Sequence, residues 1–262
     1  MTSDEFFPLV VERAWDTTPR ARAATFRIPE QLRESFAYRT GQYIKVRVDV
    51  DGATEEHAYS LCSSHEAAEP LTIAVKRSDT SSVASRVQDM LRVGNIVMVC
   101  PPKGAFGIHL DPSNDRTIVL IAGGSGITPL WAIAKSVLVV EPLSRVVLVY
   151  ANTSADEVMF ARELQQLRSE VAGRLIIAHV LESGDGAQAL TADVVRYGRI
   201  SVETLAQIIA PADIADSSTE YLLCGPGGMI DAVSEMLLLM GASAEHIHFE
   251  SFSSTAHTST LE

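Results

Sequence analysis

Two hydrophobic periods divide the chain. Up to residue 112, apolar positions come in short runs that alternate with polar ones: FPLVVERAW, ATFRIP, QYIKVRVDV, HAYSLCSS, LTIAVKR and NIVMVC. Alternation with a period of two is the mark of half-buried strands. Turn residues separate the runs, among them Arg39-Thr40-Gly41, Asp51-Gly52 and Pro101-Pro102. One interruption, SSVASRVQDMLR, carries Val83, Val87, Met90 and Leu91 at helical spacing. Many short strands in this arrangement predict a small antiparallel β-barrel.

After Asp111-Pro112-Ser113-Asn114-Asp115 the pattern changes. Apolar strands are expected near 117–122, 145–151, 174–181, 220–224 and 246–250, alternating with helices near 129–140, 154–170, 201–209 and 228–240. That alternation predicts an α/β domain, a parallel sheet with crossover helices. Helix ends are marked by Pro129 as a first helical residue, Ser154-Ala155-Asp156-Glu157 as a capping box and Gly241 as a C-cap. The expected organisation is a barrel over 1–112, an α/β domain over 113–252 and a flexible tail or linker start over 253–262.

Composition narrows the classes. With 262 residues and 47% hydrophobic content the chain can build packed cores, and no run of apolar residues is long enough for a membrane span. The opening MTSDEFFPLVV has acids where a secretory signal has bases, which predicts a cytoplasmic protein. Cys62, Cys100 and Cys224 stand far apart, so no metal or cluster site of the chain's own is expected. A net charge of −12 argues against nucleic acid as a partner. Most of the acidic excess falls after residue 112, so an acidic partner would dock on the first half.

Two glycine-rich turns carry the chemistry. Gly123-Gly124-Ser125-Gly126-Ile127-Thr128-Pro129 joins the first strand of the α/β half to its helix, a place where phosphate meets open backbone and unpaired N–H groups. Strand EYLLC, counted as the fourth, ends in Cys224-Gly225-Pro226-Gly227-Gly228-Met229. If it lies across the switch point, both turns converge on one crevice. Cys224 then sits at the lip as a soft, uncharged thiol, and His248-Phe249-Glu250-Ser251-Phe252 brings a carboxylate and an aromatic ring close by.

Together, residues 57–63, 102–106, 123–129, 224–229 and 248–252 resemble the ferredoxin–NADP reductase superfamily, and most of all the flavin/NADH reductase components of bacterial oxygenases, such as those of 3-ketosteroid 9α-hydroxylase and phenylacetyl-CoA oxygenase. The resemblance implies an FAD-binding barrel, a nicotinamide-dinucleotide domain, and a flavin ring between them. It assigns His57, Ala58, Tyr59 and Ser60 to the flavin, with Ser60 near the ring atom that receives hydride. Ala74, Val75 and Lys76 would line the flavin chain, and Val83, Ala84 and Ser85 the pyrophosphate; Pro102-Lys103-Gly104-Ala105-Phe106 would close the barrel. Gly123, Gly124, Gly126 and Thr128, with Cys224, Gly225, Pro226 and Met229, would hold the dinucleotide. Ser60, Cys224, Glu250 and Phe252 form the implied catalytic set, with Phe252 gating access to the flavin.

The sequence departs from that pattern at three places. His57 stands where the family usually has arginine, and imidazole, unlike guanidinium, loses its charge near neutral pH. Ser81-Ser82 replaces a common Gly-Gly before the pyrophosphate segment. With both changes FAD is expected still to bind, weakly, and His57 predicts tighter binding at lower pH. Third, no C-x4-C-x2-C segment for a [2Fe–2S] domain is present, so either a separate iron–sulfur protein accepts the electrons or the sequence is part of a longer reductase. Asn152, Thr153 and Ser154, with Asp156 and Glu157 beyond, favour NADH over NADPH. The reading is an FAD-dependent NAD(P)H oxidoreductase passing electrons to a ferredoxin-type or oxygenase acceptor. The alternative is a non-catalytic, reductase-like binding or regulatory subunit with a weakened flavin site.

Overall fold

A computed structural model describes residues 4–50, 52–77, 83–184 and 186–252. Ser81, Ser82 and the tail 253–262 lie outside the described residues.

The first half forms six antiparallel strands: β1 (Phe7–Thr18), β2 (Ala21–Arg27), β3 (Tyr43–Val50), β4 (Ala53–Ser60), β5 (Thr72–Lys76) and, after helix α1 (Val83–Met90), β6 (Ile96–Val99). Their order is β4-β3-β6-β1-β2-β5. The outer strands meet through the Leu61–Ile73 bridge and the Cys62 N–H bond to the Thr72 carbonyl (2.9 Å), so the sheet curls into the expected barrel. Inward residues such as Leu9, Val11, Ile44, Val46, Ile73, Val97 and Val99 fill it with no exposure above 1%. Each of these residues sits at alternating positions of its strand, as the sequence pattern requires.

In the second half, β7 (Thr117–Gly123), α2 (Ile127–Val140), β8 (Arg145–Asn152), α3 (Ala161–Glu170), β9 (Leu175–Leu181), β10 (Val194–Tyr197), α4 (Val202–Ile208), α5 (Pro211–Ala215), β11 (Glu220–Gly225), α6 (Gly227–Met240) and β12 (Ile247–Ser251) follow in turn. The sheet is fully parallel, ordered β10-β9-β8-β7-β11-β12. The strand order reverses between β7 and β11, which is where a crevice opens at the carboxyl ends.

Four expectations need correction. β10 and α5 have no counterpart in the sequence pattern, so EYLLC is the fifth strand of this sheet rather than the fourth. Pro129 is the third residue of α2, not the first, still within the turn whose N–H groups have no helical partner. The segment 154–170 is not one helix: a 3-10 turn at Ala155–Glu157 is followed by Phe160 at φ 61°, and α3 starts only at Ala161. The capping box does not form, because the Ser154 hydroxyl turns to Asp156 while Glu157 reaches away to Lys76. Gly241 does close α6, at φ 104°.

The two sheets share a core. Ala21, Ala23, Cys62 and Ala74 on the barrel pack with Ile127, Trp131 and Ala134 of α2 in one buried cluster. Small barrel residues let the helix approach, and apolar burial of this kind holds two units together more firmly than a polar seam does. Around it, Lys135 Nζ donates to the Cys62 carbonyl (3.0 Å), and the buried Ser136 hydroxyl bonds Glu66 (2.7 Å). The segment entering β7 is tied down at the fully buried Glu141, which accepts from Arg116 (2.7 Å), Asn114 (2.8 Å) and Ser144 (2.7 Å). Burial by itself would raise the Glu141 carboxyl; these donors outweigh it and hold the group below its ordinary value.

Candidate active site

The first glycine turn and the second touch through their main chains. A Cβ on Gly126 would stand 2.1 Å from the Cys224 carbonyl oxygen and 2.7 Å from the Gly225 nitrogen. Gly126 has an ordinary φ of −60°, so space rather than conformation demands glycine there. Gly123 is equally enclosed: its missing Cβ would meet Met229 Sδ at 2.6 Å and Pro226 Cδ at 2.9 Å. Met229 and Pro226 thereby wedge the second turn against the first. Gly124, at φ 53°, makes the bend itself.

Two hydroxyls brace this arrangement. Thr128, only 3% exposed, donates to the Ser125 carbonyl (3.0 Å). Tyr150, which sequence reasoning did not single out, donates from β8 to the Gly124 carbonyl (3.0 Å) and accepts from the Met159 N–H (3.2 Å). Its only sequence signal is a tyrosine closing the aliphatic run 146–149.

Across the crevice, three of the four implied catalytic residues come together. The Ser60 hydroxyl, at the end of β4, donates to Glu250 Oε2 on β12 at 3.1 Å, a contact joining the two halves of the chain. Glu250 stands beside Cys224 in the parallel register of β12 and β11. Burial pushes the Glu250 carboxyl above its ordinary value, opposed by the Ser60 bond, and pushes the Cys224 thiol well up, with Glu250 adding to it. Cys224 is completely buried and stays a neutral thiol. Phe252, two residues past Glu250 and 44% exposed, lines the mouth of a cleft of about 470 Å³ together with Gly123, Gly124, Gly225 and Pro226.

The barrel side is mixed. The period of β4 puts Glu55, His57 and Tyr59 on one face. Burial raises the Tyr59 hydroxyl far above its usual range, leaving a neutral ring and donor. His57 Nε2 lies 2.8 Å from Glu55 Oε2, so the imidazole already has a carboxylate partner. Ala58, between His57 and Tyr59, points to the opposite, exposed face. On β5 the Ala74 side chain is buried in the shared core and Val75 in the barrel core, which leaves main chain and Lys76 for a ligand. Val83 and Ala84 pack partly buried on the barrel core at the start of α1, with Ser85 buried beside them.

Gly124, at the bend of the first turn, leaves main chain open to a nucleotide diphosphate, and the buried neutral groups fit an aromatic ring; the Glu55–His57 and Glu157–Lys76 pairs engage side chains that a phosphate would otherwise meet. A barrel joined to a doubly wound parallel sheet, with glycine turns on both sides of its switch point, defines a dinucleotide-binding α/β protein with a second ligand face on the barrel.

Comparison with known proteins specifies the class. Residues 9–108 match the Oxidoreductase FAD-binding domain and residues 120–235 the Oxidoreductase NAD-binding domain. The chain is 35% identical over 247 residues to the ferredoxin reductase component of 3-ketosteroid-9-alpha-monooxygenase from Rhodococcus rhodochrous, covering 94% of this chain and 65% of the relative. It is 30% identical to a 1,2-phenylacetyl-CoA epoxidase component from Escherichia coli K12, covering 94% and 68%. The FAD/NAD-binding domain of nitric oxide dioxygenase from Vibrio cholerae superposes with a TM-score of 0.75 at 28% identity, covering 95% of this chain and 99% of that one. The chain belongs to the ferredoxin–NADP reductase family of FAD- and NAD-binding oxidoreductases. It spans about two thirds of the length of the curated relatives it matches. Among the described residues no helix is long and apolar enough to cross a membrane.

Proposed function

We propose that the chain carries electrons from NADH through FAD to an iron–sulfur acceptor, as the reductase part of an oxygenase system, with flavin held by residues 1–112 and dinucleotide by 113–252. The observation that carries this reading is the meeting of Ser60, Glu250 and Cys224 at the mouth of the two glycine turns. It brings a hydroxyl, a carboxyl and a neutral thiol from both halves together, next to Gly225, which lines the cleft.

When bound, the two cofactors supply the redox chemistry, the nicotinamide as a two-electron donor and the flavin as the relay to a one-electron acceptor. The protein's own groups align them. Gly124 gives the dinucleotide main chain free of a Cβ atom, while Gly123, Gly126 and Gly225, with Pro226 and Met229, let the two turns pack against each other. Thr128 keeps the first turn in shape through the Ser125 carbonyl. Cys224 contributes a buried, polarisable and uncharged thiol beside Glu250. Ser60 Oγ donates its hydrogen bond to Glu250 Oε2, and burial raises the carboxyl's own affinity for protons. Tyr59 supplies a ring face and Phe252 a cover at the entrance.

The reading as a non-catalytic subunit draws on one observation, the Glu55–His57 pair at the position assigned to flavin phosphate. Purified chain is incubated with FAD and passed through a desalting column. A yellow protein fraction supports the reductase, and a colourless one supports the subunit.

A further inference from the structure

Glu157 has no part in the scheme above, yet it occupies the dinucleotide cleft. From the 3-10 turn after β8 it reaches across to the barrel, placing Oε2 2.6 Å from Lys76 Nζ and Oε1 3.7 Å from Arg20 Nη1. The pair is largely shielded, with side-chain exposures of 18% for Lys76 and 13% for Glu157. The same ammonium lies 3.8 Å from where a Cβ on Gly124 would be, directly against the first glycine turn. Lys76, Arg20, Gly124, Thr153 and Glu157 line one cleft.

A cation beside a glycine turn, at the carboxyl ends of parallel strands, is a seat for a phosphate. Here a carboxylate oxygen of the protein holds that seat, standing in for a phosphate oxygen. The missing capping box has the same origin, since the carboxylate that would cap a helix at residue 154 is engaged by Lys76 instead.

Resting on the dinucleotide reading above, we propose that Glu157 is a built-in competitor of the dinucleotide's diphosphate: it neutralises Lys76 and Arg20 in the free protein and is displaced when the ligand binds. Glu157 thereby sets dinucleotide affinity below what the cleft's cations alone would give, and favours release of the ligand after turnover. It acts through Lys76 and is a positioning residue, not a catalytic one.

The test is calorimetric titration of the full chain with ADP-ribose and, separately, with uncharged adenosine. Glu157→Gln keeps the side-chain volume and removes the charge, and is expected to tighten ADP-ribose about tenfold while leaving adenosine unchanged. Lys76→Gln is expected to weaken ADP-ribose, and in that background Glu157→Gln should lose most of its gain. Glu157→Asp, which retains the charge, should stay near wild type. Unchanged or weaker ADP-ribose binding by Glu157→Gln overturns the proposal. So does an equal gain for adenosine, which would mark a structural effect, or an undiminished gain without Lys76. Wild-type chain that binds no ADP-ribose at all refutes the dinucleotide reading itself, and this inference with it.

Discussion

Gly126→Ala puts the geometry of the two turns to a quantitative test. The new Cβ would sit 2.1 Å from the Cys224 carbonyl oxygen, where ordinary contact begins at 3.4 Å. The two turns must therefore part by about 1.3 Å, the difference between those distances. Every atom in the way belongs to the main chain of β11, so no side chain can rotate to make room. Overpacking of this kind costs roughly 1–3 kcal/mol of stability. Displacing a ligand cradle by about an ångström costs on the order of a hundredfold in productive positioning. Gly228→Ala is the control: nothing lies within 4 Å of its Cβ, and it falls in the first turn of α6, where alanine is worth up to about 1 kcal/mol over glycine. Calorimetric titration with NAD⁺, paired with thermal unfolding, reads both effects. Gly126→Ala should lose affinity by about tenfold or more and unfold earlier, while Gly228→Ala keeps wild-type affinity and a Tm no lower than wild type. Gly126→Ala with unaltered affinity and Tm would refute the claim that these turns fix each other.

Other outcomes follow from the cleft. Cys224→Ala should slow flavin reduction by NADH about tenfold in single-turnover stopped flow while FAD stays bound, since the thiol's contribution is surface and position; an unchanged rate would remove it from the reaction. His57→Arg should tighten FAD about tenfold by flavin-fluorescence titration, because a charged fork gives phosphate a stronger bond than an imidazole already paired with Glu55; equal dissociation constants would place the phosphate elsewhere. For Glu250 the folded-state carboxyl holds its proton more tightly than the unfolded one. Its contribution is therefore fully present below the ordinary carboxylate value and is lost as pH rises through the raised one. Thermal unfolding between about pH 4 and pH 8 should show flavin-free wild type losing Tm relative to Glu250→Gln as pH rises; parallel curves would contradict this.

Much of the architecture could be read from hydrophobic period, because barrel strands such as β3 alternate while the central strands β7 and β8 of the parallel sheet carry unbroken apolar runs. β10 escaped because its four residues, VVRY, are too short to show a period. α5 escaped because five residues opened by Pro211 read as a turn. The broken helix at 154–170 was hidden for a different reason: its cap signal is real locally, but a lysine in the other half of the chain competes successfully for Glu157. Glycine turns announce themselves in sequence, and so did Cys224 and Glu250 through their place at strand ends. Ser60 and Glu250, 190 residues apart, could be grouped only through the family resemblance, since no local pattern links them. The shared core was equally silent, since Ala21, Ala23 and Ala74 are small residues with no pattern of their own.

The proposed reaction requires flavin and nicotinamide to share the cleft lined by Gly123, Gly124, Gly225 and Phe252, beside Ser60, Glu250 and Cys224. Anaerobic addition of NADH to FAD-loaded chain, followed in the visible flavin band, tests it most directly. Rapid bleaching is expected with NADH and slower bleaching with NADPH. A flavin-loaded protein whose absorbance is unchanged by excess NADH would contradict it.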